Sequence, residues 1–207
     1  MLPHEESTDS FKLVLLGSTD VGKSSLVLRY IRDDFREIVS TTGCAFFTQR
    51  INLQGKNLHF EIWDTAGQER YHSVCHLYYR GARAALLVYD ITSKETFSRA
   101  QLWLQELQKY VLNGKMVIAL VGNKSDLHDN RKVSIEDALA FSEQKQLLFM
   151  ETSAKTGSGV NEVFEAVASK LLTLEKQKEE NQHRGDSRIS LQETHSPSEG
   201  HRCCTSL

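Results

Sequence analysis

The sequence predicts an α/β fold in which a six-stranded, mostly parallel sheet carries helices on both faces. Six apolar segments have the length of strands, at residues 11–16, 46–53, 58–63, 84–89, 117–121 and 147–151. The second and third are separated only by residues 54–57, which suit a hairpin turn. The other gaps are too long for hairpins and require crossover helices, an alternation typical of parallel sheets.

Four stretches have the pattern of helices. The first covers residues 23–32, and the second is capped by Thr92 or Ser93 and runs to about Val111. The third begins at Ser134, and the fourth follows Gly159 with an apolar stripe on one face. Sheets of this kind bind ligands at the carboxyl ends of their strands, so the loops that follow the strands are the place to look for a site.

Length and composition predict one domain with a tail. The 207 residues are 40% hydrophobic and 25% charged, which is ordinary for a globular chain. The net charge of −2 predicts no nucleic-acid partner. The start of the chain lacks the apolar core of a secretory signal, which predicts a cytosolic, reducing location with free thiols. We expect a flexible segment at 1–10, a folded domain at 11–174 and a disordered tail at 175–207, where apolar residues become sparse.

The segment 17–24 follows the first strand and precedes the first helix, where it forms a complete phosphate-binding loop. Its glycines allow backbone amides to approach phosphates, and the helix N-terminus adds positive potential. Lys23 should contact the β- and γ-phosphates, and Ser24 should ligate Mg²⁺. The predicted nucleotide contacts in and beside this loop are Ser18, Thr19, Asp20, Val21, Gly22, Lys23, Ser24 and Ser25.

A second motif, at residues 63–69, ends the third strand. Asp64 is placed to hold Mg²⁺, directly or through water. Gly67 allows a backbone amide to reach the γ-phosphate, and Gln68 is placed to orient an attacking water. An aspartate at a strand end is more often a helix cap, but its pairing with a phosphate loop favours the metal-binding interpretation.

Two further motifs indicate a guanine base. After the fifth strand, Asp126 can accept two hydrogen bonds from the N1 and N2 edge of guanine, which adenine cannot offer. Asn123 should brace this loop, and the stem of Lys124 can cover the base. After the sixth strand, Ser153, Ala154 and Lys155 form a short motif whose central amide could meet guanine O6.

These four motifs resemble those of the small GTPase superfamily over about residues 11–174. Residues 60–71, 78–82 and 87–92 are similar to Rab signatures. Residues 69–73 and 148–155 look like the early-endosomal branch, and residues 44–48 look like an epithelial branch concerned with transcytosis. The resemblance implies a single P-loop GTPase domain, a switch that binds GTP or GDP with Mg²⁺ and hydrolyses GTP slowly until an activating protein assists.

The resemblance also assigns residues in the first switch and on the surface. Phe35 becomes the partner of the base. Spacing from Gly43 makes Thr41 the switch ligand of Mg²⁺, whereas spacing from Phe35 favours Thr42, and we favour Thr41. Three aromatic residues match the set through which Rabs contact effectors: Phe46, Trp63 and Tyr78.

The tail ends in Cys203-Cys204-Thr205-Ser206-Leu207, where Cys203 and Cys204 resemble the doubly geranylgeranylated ends of Rabs. Without a polybasic patch, stable anchoring requires two lipids. The implied location is the cytoplasmic face of endosomal membranes, with a cytosolic pool. The implied partners are an exchange factor, a GTPase-activating protein, a GDP dissociation inhibitor, a prenylation escort protein and effectors.

Two alternatives use the same phosphate loop. A metabolic phosphotransferase would need an insertion for an acceptor pocket and a lid, and the compact chain shows none. A signalling GTPase without a membrane anchor would not need the paired cysteines. The sequence names neither the organelle nor the individual partners.

Overall fold

A computed structural model of the protein describes residues 9–36, 41, 43–67, 78–110 and 116–189. The strands are β1 (Asp9–Leu16), β2 (Cys44–Leu53), β3 (Lys56–Thr65), β4 (Ala84–Asp90), β5 (Val117–Asn123) and β6 (Leu148–Glu151). The helices are α1 (Lys23–Arg32), α2 (Lys94–Tyr110), α3 (Ile135–Lys145) and α4 (Val160–Ile189), with a 3-10 helix at Ser125–Asn130.

The six strands form one sheet in the order β2-β3-β1-β4-β5-β6. The β2–β3 pair is antiparallel, and every other pairing is parallel. The β2–β3 turn places Gln54 at φ 53° and Gly55 at φ 78°. A two-residue hairpin loop that follows the twist of its strands requires such left-handed pairs. The predicted mostly parallel six-stranded α/β fold is confirmed.

Apolar residues of β1 alternate between the two faces of the sheet. Val14 and Leu16 belong to a buried cluster that also contains Ala100 of α2 and Ala138 of α3. Because successive side chains of a strand point to opposite faces, the fully buried Leu13 and Leu15 point to the other face. The alternation explains why the central strands read as nearly continuous apolar runs.

Helix α1 packs against α4 through two stacked rings. The ring centroids of Tyr30 and Phe164 lie 3.8 Å apart, and the ring planes differ by only 7°. Burial, with a smaller contribution from the carboxylate of Glu165, raises the pKa of Tyr30 to about 12. The tyrosine therefore stays neutral at physiological pH and contributes to packing.

Helix ends follow ordinary capping chemistry. The Ser134 hydroxyl accepts a hydrogen bond from the Asp137 amide at 3.1 Å, which caps α3 as predicted. The Ser93 hydroxyl accepts a longer bond of 3.5 Å from the Thr96 amide and begins α2. At the other end of α1, Asp33 adopts φ 51°, and its amide donates to the Arg29 carbonyl. This left-handed residue ends the helix.

The last helix, α4, continues to Ile189, which lies beyond the predicted end of the folded domain at residue 174. The segment is rich in Glu, Lys and Gln, which favour helix even without apolar partners, and the Lys178 ammonium lies 2.9 Å from the Glu175 carboxylate. Residues 190–207 lie outside the described residues. Within the part of the chain that the structure describes, no helix is long and apolar enough to cross a membrane.

Candidate nucleotide-binding site

The loops after β1, β3, β5 and β6 meet at one edge of the sheet around a cavity of about 570 Å³. Parallel strands bring their carboxyl ends to the same edge, so motifs far apart in sequence become neighbours. The lining includes most of the predicted nucleotide contacts: Thr19, Asp20, Gly22, Lys23, Ser24, Ser25, Phe35, Thr41, Gly67, Asn123, Lys124, Asp126, Ala154 and Lys155. Arg36, Thr65 and Leu127 also line it and were missed; each directly follows a predicted site residue.

The phosphate-binding loop depends on close backbone approach. A Cβ on Gly17 would lie 2.2 Å from the Val88 carbonyl oxygen, and one on Gly22 would lie 2.3 Å from the side-chain nitrogen Nδ2 of Asn123. Both glycines also have positive φ, at 149° and 94°. Larger residues would push the loop away from β4 and β5, so the spacing of the motif is set by these contacts.

Lys23 lies beneath this loop with only 6% of its surface exposed. Its ammonium donates to the carbonyl oxygens of Gly17 at 2.9 Å and Ser18 at 2.8 Å. These bonds hold the charged group under the loop, as a residue that contacts bound phosphates must be held. Asp20 in the same loop is exposed and takes a left-handed φ of 61°.

Three side-chain oxygens converge beside the loop. The hydroxyl oxygens of Ser24 and Thr41 lie 2.7 Å apart, and Ser24 also donates a short hydrogen bond to Asp64 Oδ2. The other oxygen, Asp64 Oδ1, is buried and has no hydrogen-bond partner among the described residues. Burial raises the pKa of Asp64, although the Ser24 hydrogen bond and the Lys23 charge oppose this.

This donor set fits a magnesium ion. Mg²⁺ prefers oxygen ligands, and a buried carboxylate oxygen without a partner is costly unless a cation or donor satisfies it. The Thr41 and Ser24 hydroxyls lie close enough together to bind the same metal ion, whereas Thr42 lies outside the described residues. The structure therefore brings together the three predicted metal ligands.

The end of β3 presses against the phosphate loop. A Cβ on Gly67 would lie 2.3 Å from the Thr19 amide nitrogen and 2.4 Å from the Ser18 carbonyl oxygen. Only glycine allows this approach, so backbone rather than side chain faces the loop. Gln68, the predicted catalytic residue, lies outside the described residues.

Asn123 joins the two ends of the site. Its amide nitrogen donates to the Val21 carbonyl at 2.8 Å. Its oxygen accepts from the Ala154 amide at 3.2 Å and from the Thr152 hydroxyl at 3.3 Å. These three bonds are consistent with the predicted bracing role of Asn123. The backbone amide of Ala154, which was predicted to meet guanine O6, donates to the Asn123 side chain in this structure.

Asp126 lies in the first turn of the 3-10 helix and is held by its neighbours. The Ser153 hydroxyl donates to Asp126 Oδ1 at 2.5 Å, which ties the two base-recognition motifs together. Beside it, the Lys124 ammonium lies 2.5 Å from Asp90 Oδ2. Burial raises the pKa of Asp90, but hydrogen bonds from Lys124 and Thr92 outweigh this and hold it below its ordinary value. The stem of Lys124 is thereby anchored alongside the cavity.

The predicted surface aromatics also come together. Phe46 is 52% exposed and meets Trp63 edge-on with ring centroids 5.2 Å apart. Tyr78 lies 6.3 Å from the same ring, and the Lys12 ammonium lies 4.4 Å above it. Their role in binding effectors stays a prediction, and Cys203 and Cys204 lie outside the described residues.

A phosphate-type loop, three oxygens that fit a magnesium ion and the carboxylate predicted to meet guanine lie around one cavity, an arrangement typical of guanine-nucleotide-binding switch proteins. A sequence profile of the Ras family matches residues 12–173, and the chain belongs to that family. Ras-related protein Rab-17 of Homo sapiens is 52% identical over 195 residues, which cover 94% of this chain and 90% of that protein. Rab-17 of Mus musculus is 57% identical over 161 residues, or 78% of this chain and 75% of that protein.

These comparisons place the chain among the Rab GTPases. It is a membrane-associated regulator of membrane traffic that binds guanine nucleotides and hydrolyses GTP to GDP. Proteins of this family bind GTP and GDP with Mg²⁺ and respond to regulatory partners.

Proposed function

We propose that the cavity binds GTP and GDP with Mg²⁺, and that this nucleotide cycle controls traffic at the cytoplasmic face of endosomal membranes. One observation carries the proposal. Lys23, Ser24 and Thr41, which are expected to meet the phosphates and the metal, line the same cavity as Asp126, which is expected to meet the base. A cavity lined by both sets suits a ligand with a phosphate chain at one end and a guanine base at the other.

The phosphate end supplies positioning and charge. Lys23 and the backbone of 18–25 would bind the β- and γ-phosphates, while Ser24, Thr41 and Asp64 would hold the metal. Bound Mg²⁺ neutralises charge on the phosphates. Gln68 orients a water that attacks the γ-phosphorus; the bond to the bridging oxygen breaks, and GDP and phosphate are the products.

The base end supplies selectivity. Asp126 accepts hydrogen bonds from guanine N1 and N2, and the Ser153 bond keeps that carboxylate aimed at the cavity. Phe35, Lys124, Ala154 and Lys155 form the walls around the base. Adenine lacks the two donors, so it would leave the carboxylate unpaired at a cost of about 1–3 kcal/mol or more.

The nucleotide state would be read at the surface formed by Phe46, Trp63 and Tyr78. Phe46 of β2 and Trp63 of β3 are directly paired across the two strands. Exposed aromatics suit a partner surface because they bury large areas with few rotatable bonds. Effectors would bind here in the GTP state, while an exchange factor, a GTPase-activating protein and a GDP dissociation inhibitor would act on the cycle.

Membrane attachment would come from the tail at 175–207. An escort protein would present Cys203 and Cys204 for geranylgeranylation, and two lipids anchor a chain that one lipid holds only reversibly. Extraction by the dissociation inhibitor would maintain a cytosolic pool.

Calorimetry tests the nucleotide assignment. The chain should bind GDP with Mg²⁺ and show no comparable affinity for ADP. The Gln68→Leu protein should bind GTP nearly as well as the native chain while its activator-stimulated turnover falls. Equal affinity for GDP and ADP would overturn the proposal, and undiminished turnover would reassign the water-orienting role.

Imaging of the tagged chain with endosomal markers tests the location. The native chain should coincide with those markers, and the variant with Cys203→Ser and Cys204→Ser should be cytosolic. The single Cys204→Ser variant should attach weakly. Mass spectrometry that finds no prenyl group on either cysteine would contradict the anchor.

A further inference from the structure

Arg29, in the last turn of α1, contacts two segments, at 33–35 and at 154–155, and each of them contributes to the wall of the cavity. Its Nε donates to the Ala154 carbonyl at 2.8 Å, and one terminal nitrogen donates to the Lys155 carbonyl at 2.8 Å. The other terminal nitrogen donates to the Asp33 carbonyl at 2.9 Å. Phe35, which lines the cavity with Ala154 and Lys155, is two residues beyond Asp33.

The guanidinium suits this task because its donors form a rigid planar fork. Three of its bonds go to main-chain oxygens, so they hold backbone position whatever the partner side chains are. The fourth, to the Asp33 carboxylate at 2.9 Å, is with a side chain that is 93% exposed, and such pairs contribute little. The Arg29 side chain itself is only 15% exposed, so its main-chain bonds are poorly replaced by water.

The two segments that Arg29 contacts are not held together by the local chain. Ala154 and Lys155 follow β6, whereas Asp33 and Phe35 follow α1, and these segments are far apart in sequence. A Cβ on Gly157 would lie 3.7 Å from Arg29 Cδ, so the side chain also packs along the loop after β6. Arg29 therefore fixes one wall with respect to the other.

We propose that Arg29 is a positioning residue that holds the Asp33–Phe35 segment against the 154–155 loop and thereby sets the rate of guanine-nucleotide release. Arg29 is not among the residues that line the cavity, so it acts through Phe35 and the loop after β6. The inference rests on the proposed binding of guanine nucleotides in this cavity.

The test is the release of a fluorescent GDP analogue from the full chain at matched Mg²⁺ and salt. Arg29→Gln, which loses the charge and the fork, should release it about tenfold faster, equivalent to about 1.4 kcal/mol. Arg29→Lys keeps the charge but not the planar fork, so its GDP-analogue release rate should lie between those of the native chain and Arg29→Gln. Arg32→Gln is the matched control, since this residue lies in the same last turn and is exposed; its release should stay within about twofold of native.

Two further variants separate positioning from loss of stability. Leu171→Ala removes a fully buried side chain of α4 outside the cavity lining. It should lower the melting temperature at least as much as Arg29→Gln while release stays near native. Phe35→Leu should accelerate release, and its effect should combine with that of Arg29→Gln less than multiplicatively, because both act on one wall.

Native release rates in both Arg29 variants would overturn the inference. So would acceleration by Leu171→Ala that matches Arg29→Gln, or full multiplicativity with Phe35→Leu. A native chain that does not bind the GDP analogue would instead refute the proposed function, which is a distinguishable result.

Discussion

The two ends of the cavity are built on different principles. At the base end, the polar groups satisfy one another: both functional atoms of the Asn123 amide are used, and Asp126 accepts from Ser153. At the phosphate end, Asp64 Oδ1 is buried with no hydrogen-bond partner within the described ranges. The base end is therefore held by protein contacts alone, whereas the phosphate end keeps a buried carboxylate oxygen that the proposed cation would satisfy.

The largest expected effect breaks the base end. In Asp126→Asn, guanine would lose the charged acceptor of two hydrogen bonds, so GTP affinity should fall by roughly 100-fold or more. Xanthine nucleotides should gain affinity, since an amide can donate to the oxygen that xanthine carries at C2. Calorimetry with both nucleotides measures this. Asp129→Asn, an exposed carboxylate of the same 3-10 helix, is the control, and unchanged GTP binding by Asp126→Asn would contradict the role.

Chelation of Mg²⁺ should affect only the phosphate end. Without the cation, Asp64 and the phosphates repel, so we expect GDP release to rise by about tenfold or more. The ratio of GDP to inosine diphosphate affinity should not change, because the base end is held by protein contacts. Stopped-flow release and competition binding, with and without chelator, give both quantities. A fall in that ratio on chelation would show that the two ends are not separate.

A smaller effect is expected from the ion pair beneath the base end. Arg131 directly follows the 3-10 helix that carries Asp126, and it binds Glu151 of β6 through two hydrogen bonds of 2.5 and 2.8 Å. Both side chains are partly buried, at 23% and 17% exposure. Arg131→Gln should lower the free energy of unfolding by about 1–2 kcal/mol, discounted for that exposure. It should also lower the ratio of GDP affinity to inosine diphosphate affinity.

Inosine diphosphate lacks the 2-amino group, so the affinity ratio reports the aim of Asp126 rather than general stability. Combining Arg131→Glu with Glu151→Arg should restore part of the ratio. If Arg131→Gln weakens both nucleotides equally, the ion pair supports the fold and not the base site.

The smallest effect concerns Asp20 in the phosphate loop. Its carboxylate adds negative charge near the phosphates, and two charges about 4 Å apart interact by roughly 4 kcal/mol at an effective dielectric constant of about 20. Because the side chain is exposed, we expect Asp20→Asn to slow GDP release by only about twofold to tenfold. Asparagine tolerates the left-handed φ of 61°, so the backbone should be kept. The difference should shrink at high salt; equal release rates would show that the charge points harmlessly into solvent.

Most of the sheet was predictable because apolar segments and turn residues are local signals. The strand ends were less so. The predicted third and fifth strands end at Trp63 and Val121, whereas β3 continues to Thr65 and β5 to Asn123. Polar residues there look like loop residues, but pairing with Cys44 and Asp90 keeps them in the sheet. This places Asp64 and Asn123 on a rigid edge instead of on a loop.

The sequence alone predicted the phosphate loop, the 63–69 motif and the guanine motif, since each is a run of neighbouring residues whose spacing carries its chemistry. Tertiary structure decided how these runs support one another. The Asn123 bond to Val21 spans 102 positions, and the Arg29 bond to Ala154 spans 125. Periodicity reports neighbours within a few turns of a helix or strand. Contacts across the sheet exist only after strands pair and helices pack, so Arg29, an ordinary helix residue in the sequence, acquires its role from the fold.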